Sequence, residues 1–261
     1  MSAALTDRSR LAALVARLEA GLLERDTAVR LALLAALAGE HVLLVGPPGT
    51  AKSELARRLH RAFAGARYFE RLLTRFSTPE ELFGPLSLVA LEHDRYERLV
   101  DGYLPTASIA FLDEVFKANS AILNALLTLL NEREFDNGSA RLRTPLISVV
   151  GATNEVPADE ALMAFHDRFL VRVPVAGVSD ASFAALLALP AEPMADTGVA
   201  EPVGAAELEA TLAARDAVEV PPEVVDRLAA LRATAQSLGI AVSDRRWRQL
   251  VGLLRSAALT E

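Results

Sequence analysis

The sequence predicts an α/β fold, a mostly parallel sheet flanked by helices, followed by a small all-helical domain. Three observations carry this reading. Short apolar runs alternate with helical patterns between residues 41 and 173, the order that gives parallel strands joined by helical crossovers. The first run, His41 to Val45, leads straight into Gly46-Pro47-Pro48-Gly49-Thr50-Ala51-Lys52-Ser53, which opens a helical pattern. After Pro174 the strand runs vanish and helical patterns take over. The expected division is therefore a nucleotide-type core over 1–175 and a helical lid over 176–261.

Taken in order, Arg8 to Leu22 and Ala28 to Ala38 read as helices broken at Glu24-Arg25-Asp26. Leu11, Leu14, Val15 and Leu18 recur there at helical spacing. His41 to Val45 is a buried strand and Lys52 to Phe63 a helix. Tyr68 to Leu72 is a short strand. Pro79 to Phe83 starts a helical turn with Ser77 or Thr78 as its N-cap. Leu88 to Tyr103 reads as a hairpin or an irregular insertion. Ile109 to Leu112 is a strand, and Ser120 to Asn131 a helix capped by Asn119 or Ser120. Glu134 to Arg143 reads as a hairpin turning at Asp136-Asn137-Gly138. Leu146 to Ala152 is apolar nearly throughout, as a strand covered on both faces should be. Ala161 to Phe165 is a short helix and Phe169 to Val173 the fifth strand. Beyond it, Ala181 to Leu189, Leu208 to Ala214, Pro222 to Leu238 and Asp244 to Ala258 are helical. The Ala-, Pro-, Gly- and acid-rich stretch from Pro190 to Gly204 reads as a mobile connection.

Composition narrows the function classes. The chain has 261 residues, 52% of them apolar, enough for one sizeable α/β domain and a smaller one. No apolar stretch reaches the roughly 18 residues of a membrane span. The N-terminus lacks the charged-then-apolar order of a signal peptide, so a cytoplasmic protein is expected. With no cysteine, disulfides, thiolate metal sites and a cysteine nucleophile are excluded. The net charge of −7 argues against a nucleic-acid partner, because phosphate neutralisation needs a basic surface.

The motifs carry the chemistry. The glycine-rich loop between strand and helix, here Gly46, Pro47, Pro48, Gly49, Thr50 and Ala51, offers the backbone N–H groups of its non-proline residues to an anion. Lys52 reaches the β- and γ-phosphates and the Ser53 hydroxyl ligates Mg²⁺. The sixth position of the loop is Ala51 where the usual pattern has Gly, which fits if that residue does not need φ > 0. Ile109-Ala110-Phe111-Leu112-Asp113-Glu114 is a strand ending in two acids. Asp113 would hold Mg²⁺ through water, and Glu114 would orient and polarise the attacking water. Asn154 ends the next strand and would lie beside them, holding that water and sensing the γ-phosphate. Arg168, in Asp167-Arg168-Phe169, and Arg245 or Arg246, in Ser243-Asp244-Arg245-Arg246-Trp247, are candidates to stabilise charge on the transferring phosphoryl group.

Together these motifs resemble the AAA+ ATPases, and within them the MoxR family and its RavA-type branch. The specific stretches are residues 46–53, Thr-Arg-Phe-Ser-Thr-Pro-Glu-Glu-Leu-Phe-Gly-Pro at 74–85 and Arg-Tyr-Glu-Arg-Leu-Val-Asp-Gly-Tyr-Leu-Pro at 95–105. To these are added Phe-Leu-Asp-Glu-Val-Phe-Lys-Ala at 111–118, Asn-Glu-Arg-Glu-Phe at 131–135 and Ser-Asp-Arg-Arg-Trp at 243–247. The resemblance covers about Gly21 to Ala258. It implies Walker A at Lys52 and Ser53, Walker B at Asp113 and Glu114, and sensor 1 at Asn154. It further implies an arginine finger at Arg168 serving the neighbouring subunit, and sensor 2 at Arg245, with Arg246 as the alternative. Leu23 and Glu24 lie where such proteins wrap the adenine. The 88–103 insertion and the 134–143 hairpin resemble pore-facing inserts that grip a client. RavA-type proteins usually continue beyond the lid, whereas this chain stops at Glu261. The implied activity is ATP hydrolysis with ATP/ADP and Mg²⁺, by a ring, a hexamer, that remodels a protein client beside a von Willebrand factor A domain partner. A nucleic-acid motor or loader on the same fold is the competing reading.

Overall fold

The computed structural model describes residues 4–157, 159–190 and 200–260. The connection read as mobile falls largely on residues 191–199, outside the described residues. In chain order, α1 (Arg8–Glu19), α2 (Asp26–Leu37), β1 (Val42–Val45), α3 (Lys52–Arg61) and β2 (Tyr68–Leu72) come first, then α4 (Pro79–Phe83) and α5 (Leu88–Leu91). Next are β3 (Ile109–Asp113), α6 (Ser120–Glu132), β4 (Glu134–Asn137), β5 (Ala140–Arg143), β6 (Ser148–Thr153), α7 (Glu160–His166) and β7 (Val171–Pro174). Helices α8 (Asp180–Leu187), α9 (Ala205–Ala217), α10 (Pro222–Ser237) and α11 (Asp244–Thr260) follow.

The main sheet has the order β2-β3-β6-β1-β7 and every pairing in it is parallel. The side-chain period of two splits β1 between two cores. Val42 and Leu44 join the cluster of Leu14, Ala32, Leu55 and Leu59 from α1 to α3. Leu43 faces the cluster of Phe83, Ile122, Leu126 and Phe165 from α4, α6 and α7. Both faces are covered, which is why β1 and β6 read as unbroken apolar runs.

Several elements match the sequence reading closely, and the differences have physical reasons. α4 begins where read because Thr78 N–H donates to Glu81 Oε1 at 3.1 Å and Glu81 N–H donates back to Thr78 O at 3.1 Å. Asn119, rather than Ser120, caps α6 through Ile122 N–H. The fifth strand starts at Val171, because Phe169 is fully buried in the turn before it, against Phe165 and His41. The hairpin turns at Gly138-Ser139, one residue later than read, with Gly138 at φ 65°. The 88–103 stretch is irregular: one helical turn, α5, then a single bridge between Leu86 and Arg98.

The two insertions touch. Asn137 Oδ1 accepts Arg98 N–H at 2.6 Å and Asn137 Nδ2 donates to Arg98 O at 3.2 Å. A Cβ on Gly138 would fall 2.2 Å from Tyr96 O, so the hairpin tip rests directly on the first insertion.

The C-terminal region does not stand apart from the core. Val203 and Leu208 are buried in the α1–α3 cluster. Leu5 N–H donates to Thr211 Oγ1 at 2.8 Å, and Arg10 pairs with Glu207. α11 packs on α9 and α2, whereas α8 and α10 bury no residue. No described helix is long and apolar enough to cross a membrane.

Candidate active site

Parallel strands place their C-terminal ends at one edge, and the loops that follow converge there. Val45 pairs with Thr153, and Gly46 N–H donates to Thr153 O at 2.9 Å. The loop 46–51 and Asn154 therefore leave the sheet side by side. β3 is paired with β6, so Asp113 and Glu114 emerge at the same edge. Lys52, Ser53, Asp113, Glu114 and Asn154 are thus brought together as read. Asn154 is exposed and Ser53 half-buried.

Steric demands fix the loop. A Cβ on Gly46 would fall 1.9 Å from Val175 O, on the strand-to-helix segment that crosses it. Gly49 has φ 77° and open space around a built Cβ. Ala51 does not meet the condition on which its fit was read: it sits at φ 64°, ψ 24°, in the left-handed region. That conformation costs a non-glycine residue about 1–2 kcal/mol. Glycine's wider unfolded freedom offsets about 0.4–1 kcal/mol of it. Ala51→Gly should therefore raise stability by about 0.5–1 kcal/mol, or about 1–4 °C in Tm. Thermal unfolding checks this; an unchanged or lower Tm would refute the strain.

Lys52 is nearly buried, with Nζ donating to Gly46 O at 2.8 Å and Pro47 O at 2.7 Å. Burial pulls its ammonium below the usual lysine value, against the opposing pull of Asp113 and Glu114. Thr50 Oγ1 also donates to Pro47 O, at 2.9 Å. The loop carbonyls are thus held by the chain's own donors, which is the arrangement that leaves N–H groups for an anion. Among the described residues no group of three His, Asp or Glu side chains could hold a metal by itself. Mg²⁺ in nucleotide sites takes only one or two protein ligands plus waters and phosphates, so Ser53 and Asp113 suit it.

Glu114 is at φ 51° and its carboxylate pairs with Lys117 Nζ at 3.2 Å. Asp113 Oδ1 accepts Glu114 N–H at 3.0 Å. Leu23 is half-buried at the break between α1 and α2. Glu24 holds the N-cap residue of α8 instead of standing free: its carboxylate accepts from Ser179 N–H at 2.9 Å and from Ser179 Oγ. Those bonds, with one from Ser182, hold its pKa down to about 2.

The three arginines lie elsewhere. Arg168 precedes β7, whose Val171 pairs with Val42 at the start of β1. Arg245 Nη2 donates to Asn131 Oδ1 at 2.6 Å and feels Glu40 and His41, just before β1. Arg246 Nη1 meets Asp167 Oδ1 at 3.1 Å. All three sit at the N-terminal edge of the sheet, a strand length of about 13 Å or more from their own phosphate loop. Arg168 Nε is buried with no partner, and burial, then Arg245, lowers the guanidinium's proton affinity. The roles of Asn131 and Asp167 as partners of these arginines escaped the sequence reading. So did Arg25, which is buried and bonded to Thr50 O at 3.1 Å. Nothing in spacing marks it; only the helix break at 24–26 drew attention to that segment.

Comparison with known proteins agrees with this fold. Residues 9–207 match the family model described as the MoxR domain in the MoxR-vWA-beta-propeller ternary systems, and residues 223–261 match an AAA lid domain. An uncharacterized protein of Methanocaldococcus jannaschii is 44% identical over 239 residues, covering 90% of this chain and 62% of the relative. A second from that organism is 54% identical over 157 residues, 60% of this chain and 41% of the relative. The matched part of the chain thus spans less than two thirds of the length of each. MoxR of Paracoccus denitrificans is 29% identical over 157 residues, 56% of this chain and 44% of that protein. A solved structure of a candidate ATPase from Cytophaga hutchinsonii superposes with a TM-score of 0.76 at 16% identity, covering 97% of this chain and 80% of that one. That likeness speaks for the fold: the parallel sheet flanked by helices with a helical C-terminal region. On the family model that spans most of its core, the chain belongs to the MoxR family of AAA+ ATPases.

Proposed function

We propose that the protein is a Mg²⁺-dependent ATP hydrolase working as a ring, with each active site completed by a neighbouring copy. One observation carries this reading. The loop with Lys52, Glu114 and Asn154 lies at one edge of the sheet, and Arg168, Arg245 and Arg246 lie at the other. Arginines so placed serve phosphates held by another copy in a head-to-tail ring. In this reading the loop N–H groups and Lys52 bind the β- and γ-phosphates, and Leu23 borders the base. Ser53 and Asp113 hold Mg²⁺, which supplies charge neutralisation on the phosphates when bound. Asn154 orients the attacking water. Glu114 takes its proton after leaving Lys117. Arg168 acts as the finger. Arg246 is already paired with Asp167, whereas the hydrogen-bond partner of Arg245 among the described residues is the neutral amide of Asn131, so Arg245 is the sensor.

The client is a protein gripped at the paired insertions, where Leu88, Val89, Tyr96 and Leu99 are exposed. Turnover moves a lid, 176–261, against the core, 1–175. The RavA-type branch, a hexamer and a cytoplasmic setting belong to the same proposal. A von Willebrand factor A domain partner is supported by the ternary systems that the matching family model describes. The test is ATP hydrolysis per subunit across protein concentration, with and without Mg²⁺. Specific activity that rises with concentration and vanishes with EDTA is expected. A concentration-independent rate would refute the shared site.

A further inference from the structure

We infer that Arg25 positions the phosphate loop and ties it to the entry of α8, so that nucleotide binding is relayed to the C-terminal region through one buried guanidinium. The inference rests on reading 46–53 as a phosphate loop. Arg25 is 6% exposed. Its three bonds go to main-chain carbonyls of three separate segments. Nε donates to Thr50 O at 3.1 Å, Nη1 to Glu24 O at 2.7 Å and Nη2 to Ala176 O at 2.6 Å. A buried cation must have its donors satisfied, and the planar fork of arginine is the side chain that can satisfy three such acceptors at fixed angles.

The consequence for the loop follows from peptide geometry. In a trans peptide the carbonyl and the next N–H point in opposite directions. Holding Thr50 O against Arg25 therefore turns the Ala51 N–H away from Arg25 and fixes that peptide plane. It also holds the loop beside Ala51, whose φ of 64° is one a free alanine avoids. The other end of the fork holds Ala176. Its neighbour Val175 donates to Val45 O at 2.8 Å, and Val175 O overlies Gly46. Three residues beyond Ala176, Ser179 occupies the N-cap position of α8 and is held by Glu24, the residue adjoining Arg25. α8 buries no residue of its own, so this anchorage at its N-terminus sets its direction. A loop that shifts on binding phosphate must carry Thr50 O, and through Arg25 the 176–179 segment.

The experiment compares wild type with Arg25→Lys and Arg25→Gln, using ADP as the probe, by titration and by hydrogen exchange with and without ADP. Arg25→Lys keeps the charge and loses the fork. The expected result is about tenfold weaker ADP binding, with KM for ATP raised more than kcat is lowered. ADP should still protect 46–53 but no longer protect 176–187. A folded variant with wild-type ADP affinity and wild-type protection at 176–187 would overturn the inference. Should both variants fail to fold, wild type decides: ADP must protect 176–187 together with 46–53, and protection confined to 46–53 overturns it. Wild-type protein that binds no ADP sinks the phosphate-loop reading itself, and this inference with it.

Discussion

Glu114→Gln is expected to remove ATP turnover while leaving ATP binding intact. Glu114 follows Asp113, the acid proposed for Mg²⁺, at the end of β3, and its backbone is held in the left-handed region at φ 51°. A side chain held there by the strand end and by the Asp113–Glu114 N–H bond serves a fixed point at the sheet edge. Glutamine keeps the volume and one acceptor but cannot take a proton. Loss of a positioned base costs about 10²–10⁴ in rate, or about 3–5 kcal/mol of barrier at 1.36 kcal/mol per tenfold. The fold should not notice. The Glu114–Lys117 pair has a half-exposed lysine, and such pairs contribute about 0–1 kcal/mol. Phosphate release at saturating ATP, together with a nucleotide titration, separates the two effects. A loss of less than tenfold, or a loss that follows weakened binding, would remove Glu114 from the base role.

How much of this was legible in the sequence depends on where each residue's partners lie. The strand edge was readable because β1, β3 and β6 are covered on both faces and so appear as apolar runs, each followed by its polar residues. Lys52, Asp113, Glu114 and Asn154 were placed together on that ground alone. The bounds of α4 were readable because Thr78 and Glu81 satisfy each other within four residues. The conformation of Ala51 was left conditional because a methyl side chain says nothing about φ; it is left-handed, at φ 64°. Arg25 was read only as part of the helix break at Glu24-Arg25-Asp26. Its partners are main-chain carbonyls 25 and 151 residues away, and carbonyls leave no mark on a sequence. The position of Arg245 was hidden for a related reason. Which edge it reaches depends on how α9 and α11 pack on α2, a tertiary choice that no local pattern encodes.

The edge-to-edge separation makes a mixing experiment decisive. Arg168→Ala alone should lose about 10³–10⁵ in turnover, the usual worth of an arginine finger, and Lys52→Ala alone should fail to engage the phosphates. Burial, then the nearby Arg245, lowers the proton affinity of Arg168 against the opposing pull of Asp167, and Arg168 Nε has no partner among the described residues. An incoming triphosphate would meet these guanidinium groups with charge-assisted hydrogen bonds. If the phosphates come from the neighbour, two inactive variants can make one active interface. A copy with Arg168→Ala still has its loop, and a copy with Lys52→Ala still has its finger. In a randomly mixed head-to-tail ring of equal parts, about one interface in four joins an intact loop to an intact finger. The mixture should therefore recover about a quarter of the wild-type rate per subunit, from parents that each show almost none. Sites built within single chains would leave the mixture at the mean of its parents. Recovery would also require that subunits exchange, so the mixture should be made by co-refolding or co-expression and its assembly checked by size. The same pairing with Arg245→Ala in place of Arg168→Ala asks whether the sensor, too, belongs to the neighbour. Its position beside Asn131 at the far edge makes recovery the expected result there as well.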